Sequence, residues 1–160
     1  QEDVFVHLQE REVSRYTLLI PFPYTQEHAA EWLVRVTAPG FDQPQTRWAI
    51  RNETQRFIGV AELAPEEPPF SHVAEIGYWL GAAFWGRGII TSAIRAVTRH
   101  AFNRHADLCR IYAVPFAWNG ASMRALEKAG YRVEGRMRRS AIKDGKVTDQ
   151  MLYAILRQEI

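Results

Sequence analysis

A glycine-arginine-glycine tripeptide stands where an apolar stretch gives way to a helical pattern. It lies in the segment 85–91, in which Gly86, Arg87 and Gly88 precede two isoleucines and Thr91. The first N–H groups of a helix lack partners within the helix and carry partial positive charge. Glycines allow close approach and unusual φ angles. The loop is therefore a candidate cradle for a phosphate or pyrophosphate, with a charge from Arg87 and a hydroxyl from Thr91.

The loop differs from two well-known phosphate-binding motifs. No Gly-Lys-Ser/Thr ending follows, which excludes a P-loop. The third glycine and the early βαβ unit of the dinucleotide-binding fingerprint are also missing. From the two glycines alone, a strand-to-helix turn without a ligand is an equally good interpretation.

One carboxylate stands in the apolar stretch before this loop. Glu75 lies within HVAEIGYWLG and is a candidate general base; the alternative is a strand carboxylate that faces solvent or pairs with an arginine. We expect Cys109, at the start of an apolar strand, to be a buried small side chain rather than a nucleophile. We expect no metal, because the histidines show no ligand spacing: His7, His28, His72, His100 and His105.

The elements that position these residues follow from periodicity and turn residues. Residues 2–16 predict one helix, and Thr25 is the N-cap of a second helix that ends before Pro39-Gly40. Alternating runs at 46–53 and 56–63 predict an antiparallel hairpin, and 72–81 a third strand. Ile90, Ile94, Val97 and Ala101 then step by four, three and four, which predicts a helix to about residue 105.

The C-terminal third continues the alternation of strands and helices. Residues 109–115 predict a short strand, and Asn119 and Gly130 are the N-cap and C-cap signals of the next helix. The pair Asp144-Gly145 predicts the turn of a long hairpin. The basic run RMRRSAIK lies in it, where alternation puts Arg136 and Arg138 on one face that is either solvated or attracts an acidic peptide. The fold class is α/β (α+β), a mixed sheet covered by helices, in one domain of residues 1–160.

Composition narrows the class of partner. The chain has 160 residues, of which 47% are hydrophobic and 24% charged, as in an ordinary globular protein. Its formal net charge is only +2, so the overall charge gives no reason to expect nucleic acid or an acidic membrane as a partner. A single cysteine excludes an internal disulfide and fits a reducing compartment. No apolar run approaches the roughly 20 residues of a membrane span. Without a signal-peptide pattern, we predict a cytoplasmic protein that binds neither membrane nor nucleic acid.

Taken together, several segments resemble one known family. EIGYWL, then WGRG and the helix after it, then NGASMRALEKAGYRVEG, resemble the acetyl-CoA site of the GNAT N-acetyltransferase superfamily. The order of these motifs, with IPFPYT before them, is most similar to the ribosomal-protein N-acetyltransferase branch (the RimJ/RimL type). The resemblance implies a mostly antiparallel central sheet with helices on both faces and strands that splay at the acetyl-CoA site. It also implies acetyl-CoA as co-substrate and an amine acceptor, and it makes a homodimer a further expectation.

The resemblance carries roles to individual residues. Glu75 would be the base, acting through water, and Ser122 the donor to the CoA sulfur where many relatives have a tyrosine. The pantetheine arm would lie along the strand at Tyr78, Trp79 and Leu80, with Asn119 bonding the pantetheine or the substrate amide. The remaining cofactor-binding residues would contact phosphates, in the loop and along the later helix: Trp85, Gly86, Arg87, Gly88, Ile89, Ile90, Thr91, Arg124 and Lys128.

Each role has a structural alternative. Asn119 and Ser122 are ordinary residues for a helix start, and core packing is the default for Trp79, Trp85 and Trp118. The chain also departs from the family pattern. Trp85 and Ile90 stand where the phosphate motif has Gln/Arg and a small residue, and the chain begins at the first helix, so the opening strand of the family is expected to be absent or cut off.

These departures keep other functions open. A non-catalytic acyl-CoA-binding module of the same fold is the main alternative to an N-acetyltransferase that acts on a protein N-terminus or a small amine. A nucleic-acid-binding module that uses RMRR is weaker, because no broader basic surface is evident.

Overall fold

The structure is a computed structural model that describes residues 2–38 and 46–160. The second predicted helix ends at Thr37, which confirms that it ends before Pro39-Gly40; Pro39 and Gly40 themselves lie outside these residues. The chain divides into two compact units, each built from separate segments of sequence. The first comprises Gln1–Glu62 and Tyr78–Arg87, and the second comprises Leu63–Gly77 and Gly88–Ile160.

The N-terminal segment forms two short helices, where the sequence pattern predicted one. They are α1 (Glu2–Leu8) and α2 (Arg11–Arg15). Val4 and Leu8 are four residues apart and share a helical face, but Val13, five residues further, would leave that face in a continuous helix. The break after Leu8 allows all three to be buried in one apolar cluster with Tyr24 and Ala29.

The third helix follows its local signals. It is α3 (Gln26–Thr37), and Thr25 caps it as predicted. Thr25 Oγ1 accepts from the His28 N–H at 3.3 Å, and His28 Nδ1 accepts from the Thr25 N–H at 3.1 Å. This reciprocal pair satisfies two backbone donors that a helix start otherwise leaves open.

Six strands form a mixed, mostly antiparallel sheet in the order β1-β2-β3-β4-β6-β5, which confirms the predicted fold class. Strand β3 pairs with β4 in parallel, whereas β1 with β2, β4 with β6 and β5 with β6 are antiparallel. The strands are β1 (Arg47–Arg51), β2 (Phe57–Pro65), β3 (Val73–Leu80), β4 (Arg110–Ala113), β5 (Arg132–Lys143) and β6 (Lys146–Leu156).

The predicted hairpin of β5 and β6 is present, with a large irregularity. Asp144 and Gly145 have φ of 50° and 74°, the left-handed pair that a tight two-residue hairpin turn requires. Met137 pairs with Gln150 and Ala141 with Thr148, so residues 138–140 bulge opposite Asp149. Alternation therefore stops at Met137, and the predicted shared face of Arg136 and Arg138 does not follow from the strand register.

Two helices of the second unit flank β4 in sequence. They are α4 (Ile89–Arg104) and α5 (Gly120–Ala129), and both expose one face and bury the other. Thr98 of α4 and Tyr131, just after α5, share a buried hydrogen bond of 2.7 Å between their hydroxyl groups. Cys109, just before β4, was predicted to be buried but is exposed, because it precedes the buried part of the strand.

Candidate functional site

The loop after β3 has the backbone shape that its glycines predicted. Gly86 and Gly88 have φ of 73° and 76°, a region that side chains with a Cβ rarely adopt. An added Cβ would meet no atom within 4 Å at either position. The requirement for glycine therefore comes from the backbone angle and not from crowding.

Gly88 is the N-cap of α4, and the helix begins with unpaired donors. The first hydrogen bond runs from the Ser92 N–H to the Gly88 carbonyl at 3.0 Å. The N–H groups of Ile89, Ile90 and Thr91 precede it, and no residue in the described ranges accepts from them. Three open donors at the positive end of a 16-residue helix can bind an anion through the main chain. Ile90 contributes an N–H whatever its side chain.

Trp85 and Arg87 have contacts of their own within the first unit. The Trp85 Nε1–H donates to the Leu80 carbonyl at 2.7 Å, and its ring meets Tyr16 edge-on at 5.6 Å. This bond ties the loop to the end of β3. The Arg87 guanidinium lies 5.9 Å from the ring centre of Phe84, and its side chain is exposed. Trp85 therefore has a structural role, whereas Arg87 remains accessible to a ligand.

At the end of β3, two of the residues predicted to contact the pantetheine are engaged within the protein. The Trp79 side chain packs against the apolar cluster, with its ring 5.6 Å from that of Phe57. Leu80 is 5% exposed, and its carbonyl accepts from Trp85. Tyr78 is half-buried. A Cβ on Gly59 would lie 2.5 Å from the Trp79 carbonyl oxygen, so β2 approaches β3 closely at that point.

Glu75 stands at the end of a short parallel ladder. Val73, Ala74 and Glu75 pair with Arg110, Ile111 and Tyr112, and Glu75–Tyr112 is the last of these pairs. The half-buried Tyr112 hydroxyl donates a short hydrogen bond to Glu66 Oε1.

Burial, the bond to Glu66 and the charge of Glu75 raise the pKa of Tyr112 far above its usual value of 10.0. The phenol therefore stays protonated and serves as a donor among carboxylates.

Sequence reasoning missed Tyr112 and Glu66. In the sequence, Tyr112 is one more aromatic residue in a predicted apolar strand. Glu66 is one of two adjacent acidic residues in a proline-rich stretch. The parallel register that sets Tyr112 opposite Glu75 depends on residues 37 positions apart (112 − 75). No local signal reports such a pairing, although a polar aromatic residue in a short buried strand is a hint.

Asn119 and Ser122 meet at the start of α5. Asn119 is 8% exposed, and its side-chain oxygen accepts from the Ser122 N–H at 3.1 Å. The N-cap interpretation is therefore correct. The cap uses only the oxygen, and no residue within 2–38 and 46–160 accepts from the Asn119 side-chain NH₂, which can still bind a ligand. Ser122 is half-buried.

Arg124 and Lys128 lie one turn apart on the exposed side of α5. Arg124 Nη1 lies 3.2 Å from the point that a Cβ of Gly120 would occupy, so the guanidinium folds back toward the start of its helix. The Lys128 carbonyl accepts from the Arg95 guanidinium of α4. The side chains of Arg124 and Lys128 are accessible cations, as binding of a phosphate requires.

The histidines have ordinary structural roles where their contacts are known. His7 Nε2 lies 3.2 Å from the Phe57 carbonyl oxygen, and His28 completes the cap of α3. Across the described residues, no three side chains of the metal-binding types come together as a metal site. Nor does any helix there have the length and apolar character of a membrane span.

Comparison with known proteins finds sequence relatives that are named as acetyltransferases. The protein named "Probable N-acetyltransferase YjcK" of Bacillus subtilis is 38% identical over 104 residues, which cover 65% of this chain and 57% of that protein. The ribosomal-protein-serine acetyltransferase of Escherichia coli is 31% identical over 98 residues, 61% of this chain and 54% of that protein. The chain thus spans about half the length of these curated relatives.

The fold also matches solved structures. Mycobacterium smegmatis RimJ, solved in complex with CoA-disulfide, superposes with a TM-score of 0.80 at 21% identity, over 99% of this chain and 77% of that one. The predicted likeness to the RimJ/RimL branch is confirmed by these relatives. The profile described as "Acetyltransferase (GNAT) domain" matches residues 1–132. The chain therefore belongs to the GNAT acetyltransferase family.

Proposed function

We propose that this protein is an acetyl-CoA-dependent N-acetyltransferase that acts on a primary amine, either a protein N-terminus or a small amine. The observation that carries the proposal is the open N-terminus of α4 behind Gly88. Three main-chain N–H groups there can hold the pyrophosphate of acetyl-CoA without help from the side chains of Ile89 and Ile90. Family membership supplies the context that an anion-binding turn alone would lack.

The remaining cofactor contacts follow the resemblance. Gly86 and Arg87 precede the cradle in the chain, and Arg87 would lie at its rim. The pantetheine would pair with main chain at Tyr78 and Trp79, because the Trp79 side chain is already packed. Asn119 would donate from its side-chain NH₂, which the helix cap leaves available. Arg124 and Lys128 would meet the phosphates from α5.

The reaction needs a neutral amine, a polarised thioester and a proton for the leaving thiolate. In our proposal Glu75 takes one proton from the ammonium group through water, and the neutral amine then attacks the thioester carbon. A C–N bond forms and the C–S bond breaks. The amine's second proton ends on the thiolate, which Ser122 stabilises as a hydrogen-bond donor. One proton per turnover leaves through Glu75, held in place by Tyr112.

Calorimetry with acetyl-CoA, followed by a thiol-release assay on a panel of peptides and amines, tests the proposal. We expect binding and release of CoA thiol with at least one class of amine. We expect Glu75→Gln to lower kcat about 100-fold, as for loss of a general base. Glu67→Gln, in the exposed loop before β3, is the matched control and should leave kcat unchanged.

The alternatives separate cleanly in these measurements. Absence of acetyl-CoA binding at high micromolar concentration would exclude the enzyme and the acyl-CoA-binding module alike. Binding without thiol release from any amine would favour the module. Unchanged turnover in both Glu75→Gln and Ser122→Ala would show that the roles given to these residues are wrong.

We further propose a cytoplasmic site of action and a homodimer. The single cysteine supports a reducing compartment, because an unpaired exposed thiol oxidises readily elsewhere. The homodimer rests on the family resemblance alone. Sedimentation or light scattering of the purified chain tests it directly.

A further inference from the structure

A cavity of about 330 Å³ lies in the second unit, beside the segment that leads to Asn119. That segment is tied to β6 by two backbone bonds: the Ala117 N–H donates to the Asp149 carbonyl at 2.9 Å, and the Met151 N–H to the Pro115 carbonyl at 2.8 Å. This segment and β6 therefore form one continuous wall of the cavity. Its lining residues are Ala117, Trp118, Arg136, Val147, Thr148 and Asp149.

The indole of Trp118 forms a fixed, flat part of this wall. It stacks on Phe116 with ring centres 4.9 Å apart and an angle of 8° between the planes. Its Nε1–H donates to Thr148 Oγ1 at 3.2 Å, and 41% of the residue is still exposed. An exposed aromatic ring held from two sides binds apolar stems and peptide planes at little entropic cost. Trp118 is also the residue immediately before Asn119.

Both side-chain oxygens of Asp149 already accept hydrogen bonds from the protein itself. Its Oδ2 accepts from Arg136 Nε and its Oδ1 from the Arg139 N–H, both at 2.7 Å. The N–H of Arg139 and then the Arg136 guanidinium lower the pKa of Asp149, so the carboxylate stays charged. The bulge at 138–140 makes this possible, because it turns the Arg139 N–H toward the partner strand.

The positive charge around the cavity exceeds what Asp149 neutralises. Only Nε of Arg136 is engaged; its two terminal NH₂ groups donate to no residue in the described part of the chain, and the side chain is 63% exposed. Arg138 adds a second exposed cation close enough to act on Asp149. The terminal pair of an arginine matches the two oxygens of a carboxylate. One internal carboxylate thus faces two arginines, and the balance favours an anionic ligand.

We propose that this cavity binds the stretch of an acceptor polypeptide that follows its reacting amine, and that it selects for an Asp or Glu side chain there. The inference rests on the proposed acetyltransferase function, which it extends to an acceptor class. The carboxylate would pair with the terminal nitrogens of Arg136, with Arg138 alongside and Trp118 under the apolar stem. The same arginines repel a polyamine, whose remaining ammonium groups would approach them.

Three peptides that differ only at positions two to four, carrying Glu, Gln or Lys there, test the selection. We expect kcat/KM to fall in that order, at least tenfold from Glu to Lys, chiefly through KM. Added salt should reduce the difference. Arg136→Gln and Arg138→Gln should each lower kcat/KM for the Glu peptide about five- to tenfold and leave the Gln peptide nearly unchanged. Arg99→Gln, on the exposed side of α4, is the matched control.

Direct binding separates this inference from the proposed function. N-acetylated versions of the same peptides are titrated by calorimetry into the protein with CoA, and circular dichroism checks that each variant is folded. Charge-selective binding lost in Arg136→Gln and Arg138→Gln would support the cavity even if no turnover is found. Equal kcat/KM and equal binding of the three peptides would overturn it. An equal loss in Arg99→Gln would do the same, since it would reflect the total charge.

Discussion

Glu75 and Tyr112 lie opposite each other as the last pair of the parallel ladder between β3 and β4, and the Tyr112 hydroxyl also donates to Glu66. A phenol that stays protonated between two carboxylates restricts where Glu75 can go. The half-buried carboxylate is thus oriented by a neighbouring strand and not left to solvent. If Glu75 is the base of the reaction, Tyr112 is the residue that positions it.

The first prediction concerns this positioning. We expect Tyr112→Phe to lower kcat/KM about tenfold with unchanged affinity for acetyl-CoA, because the polar group that lies opposite Glu75 and is held by Glu66 is removed. The acid limb of the pH profile should move to higher pH, since removal of a polar group beside two carboxylates makes them easier to protonate.

Tyr153→Phe is the matched control for Tyr112→Phe. Tyr153 is buried, and its hydroxyl likewise donates to a glutamate, Glu127 Oε1, at 2.9 Å. Kinetics at saturating acetyl-CoA compare the two variants. The same pH profile for both would contradict a specific role for Tyr112.

The second prediction concerns the turn before α4. Gly88→Ala should lower the free energy of unfolding by about 1 kcal/mol, because φ there is 76°. It should also weaken acetyl-CoA binding about tenfold, since relief of the strain would turn the N–H groups of α4 away from a common point. Urea unfolding and calorimetry measure the two effects.

Gly145→Ala controls for backbone strain alone. Gly145 has φ of 74°, and an added Cβ there also meets nothing within 4 Å. We expect the same loss of stability with full affinity for acetyl-CoA. Equal affinities of the two variants would argue against a phosphate at the start of α4.

The third prediction separates the two uses of Asn119. Asn119→Ala should cost about 1 kcal/mol of stability through loss of the N-cap, whereas Asn119→Asp keeps an acceptor for the Ser122 N–H. Both changes remove the NH₂ donor, so both should weaken acetyl-CoA binding.

Thr25→Ala serves as the comparison, because it removes the cap of α3 in the same way. It should lower stability without changing affinity for acetyl-CoA. If Asn119→Asp binds acetyl-CoA as well as the unmodified protein does, Asn119 is a cap and nothing more.

The fourth prediction concerns alkaline pH. Burial and then the bond to Glu127 raise the pKa of Tyr153 from 10.0 to about 12. The stabilisation by this neutral phenol is therefore complete below pH 10 and is lost as the pH rises toward 12.

Unfolding free energies of the unmodified protein and of Tyr153→Phe measure this effect. Their difference should be constant up to pH 10 and shrink above it. Tyrosinate absorbance should show one fewer late-titrating phenol in the variant. A difference that persists at high pH would mean that the stabilisation does not depend on the proton of the Tyr153 hydroxyl.

Elements with local causes could be predicted from the sequence. Thr25, Asn119 and Gly130 delimit their helices as expected, and Asp144-Gly145 makes its turn, because caps and tight turns depend on a few neighbouring residues. The cradle at Gly88 belongs to the same class. Its left-handed glycines and its open N–H groups lie within seven consecutive residues, and so the sequence predicts it as a candidate anion turn.

Features with distant causes could not be predicted from the sequence. The pairing of Glu75 with Tyr112 depends on the register between separate strands. The bulge at 138–140 depends on a carboxylate ten residues after Arg139 that bonds its N–H. The break between α1 and α2 follows from a shared cluster with Tyr24 and Ala29. Each of these results from tertiary packing, which sequence periodicity does not report.

Cys109 has a practical consequence for the experiments above. It is the single cysteine of the chain, and its thiol is exposed beside β4. Reagents that detect the free thiol of CoA by absorbance will therefore also react with one equivalent of protein thiol. This reaction adds a constant background to every thiol-release assay. The same group allows one fluorophore or spin label to be attached without any mutation. Placed one residue before the strand that carries Tyr112, such a label would report ligand binding by spectroscopy.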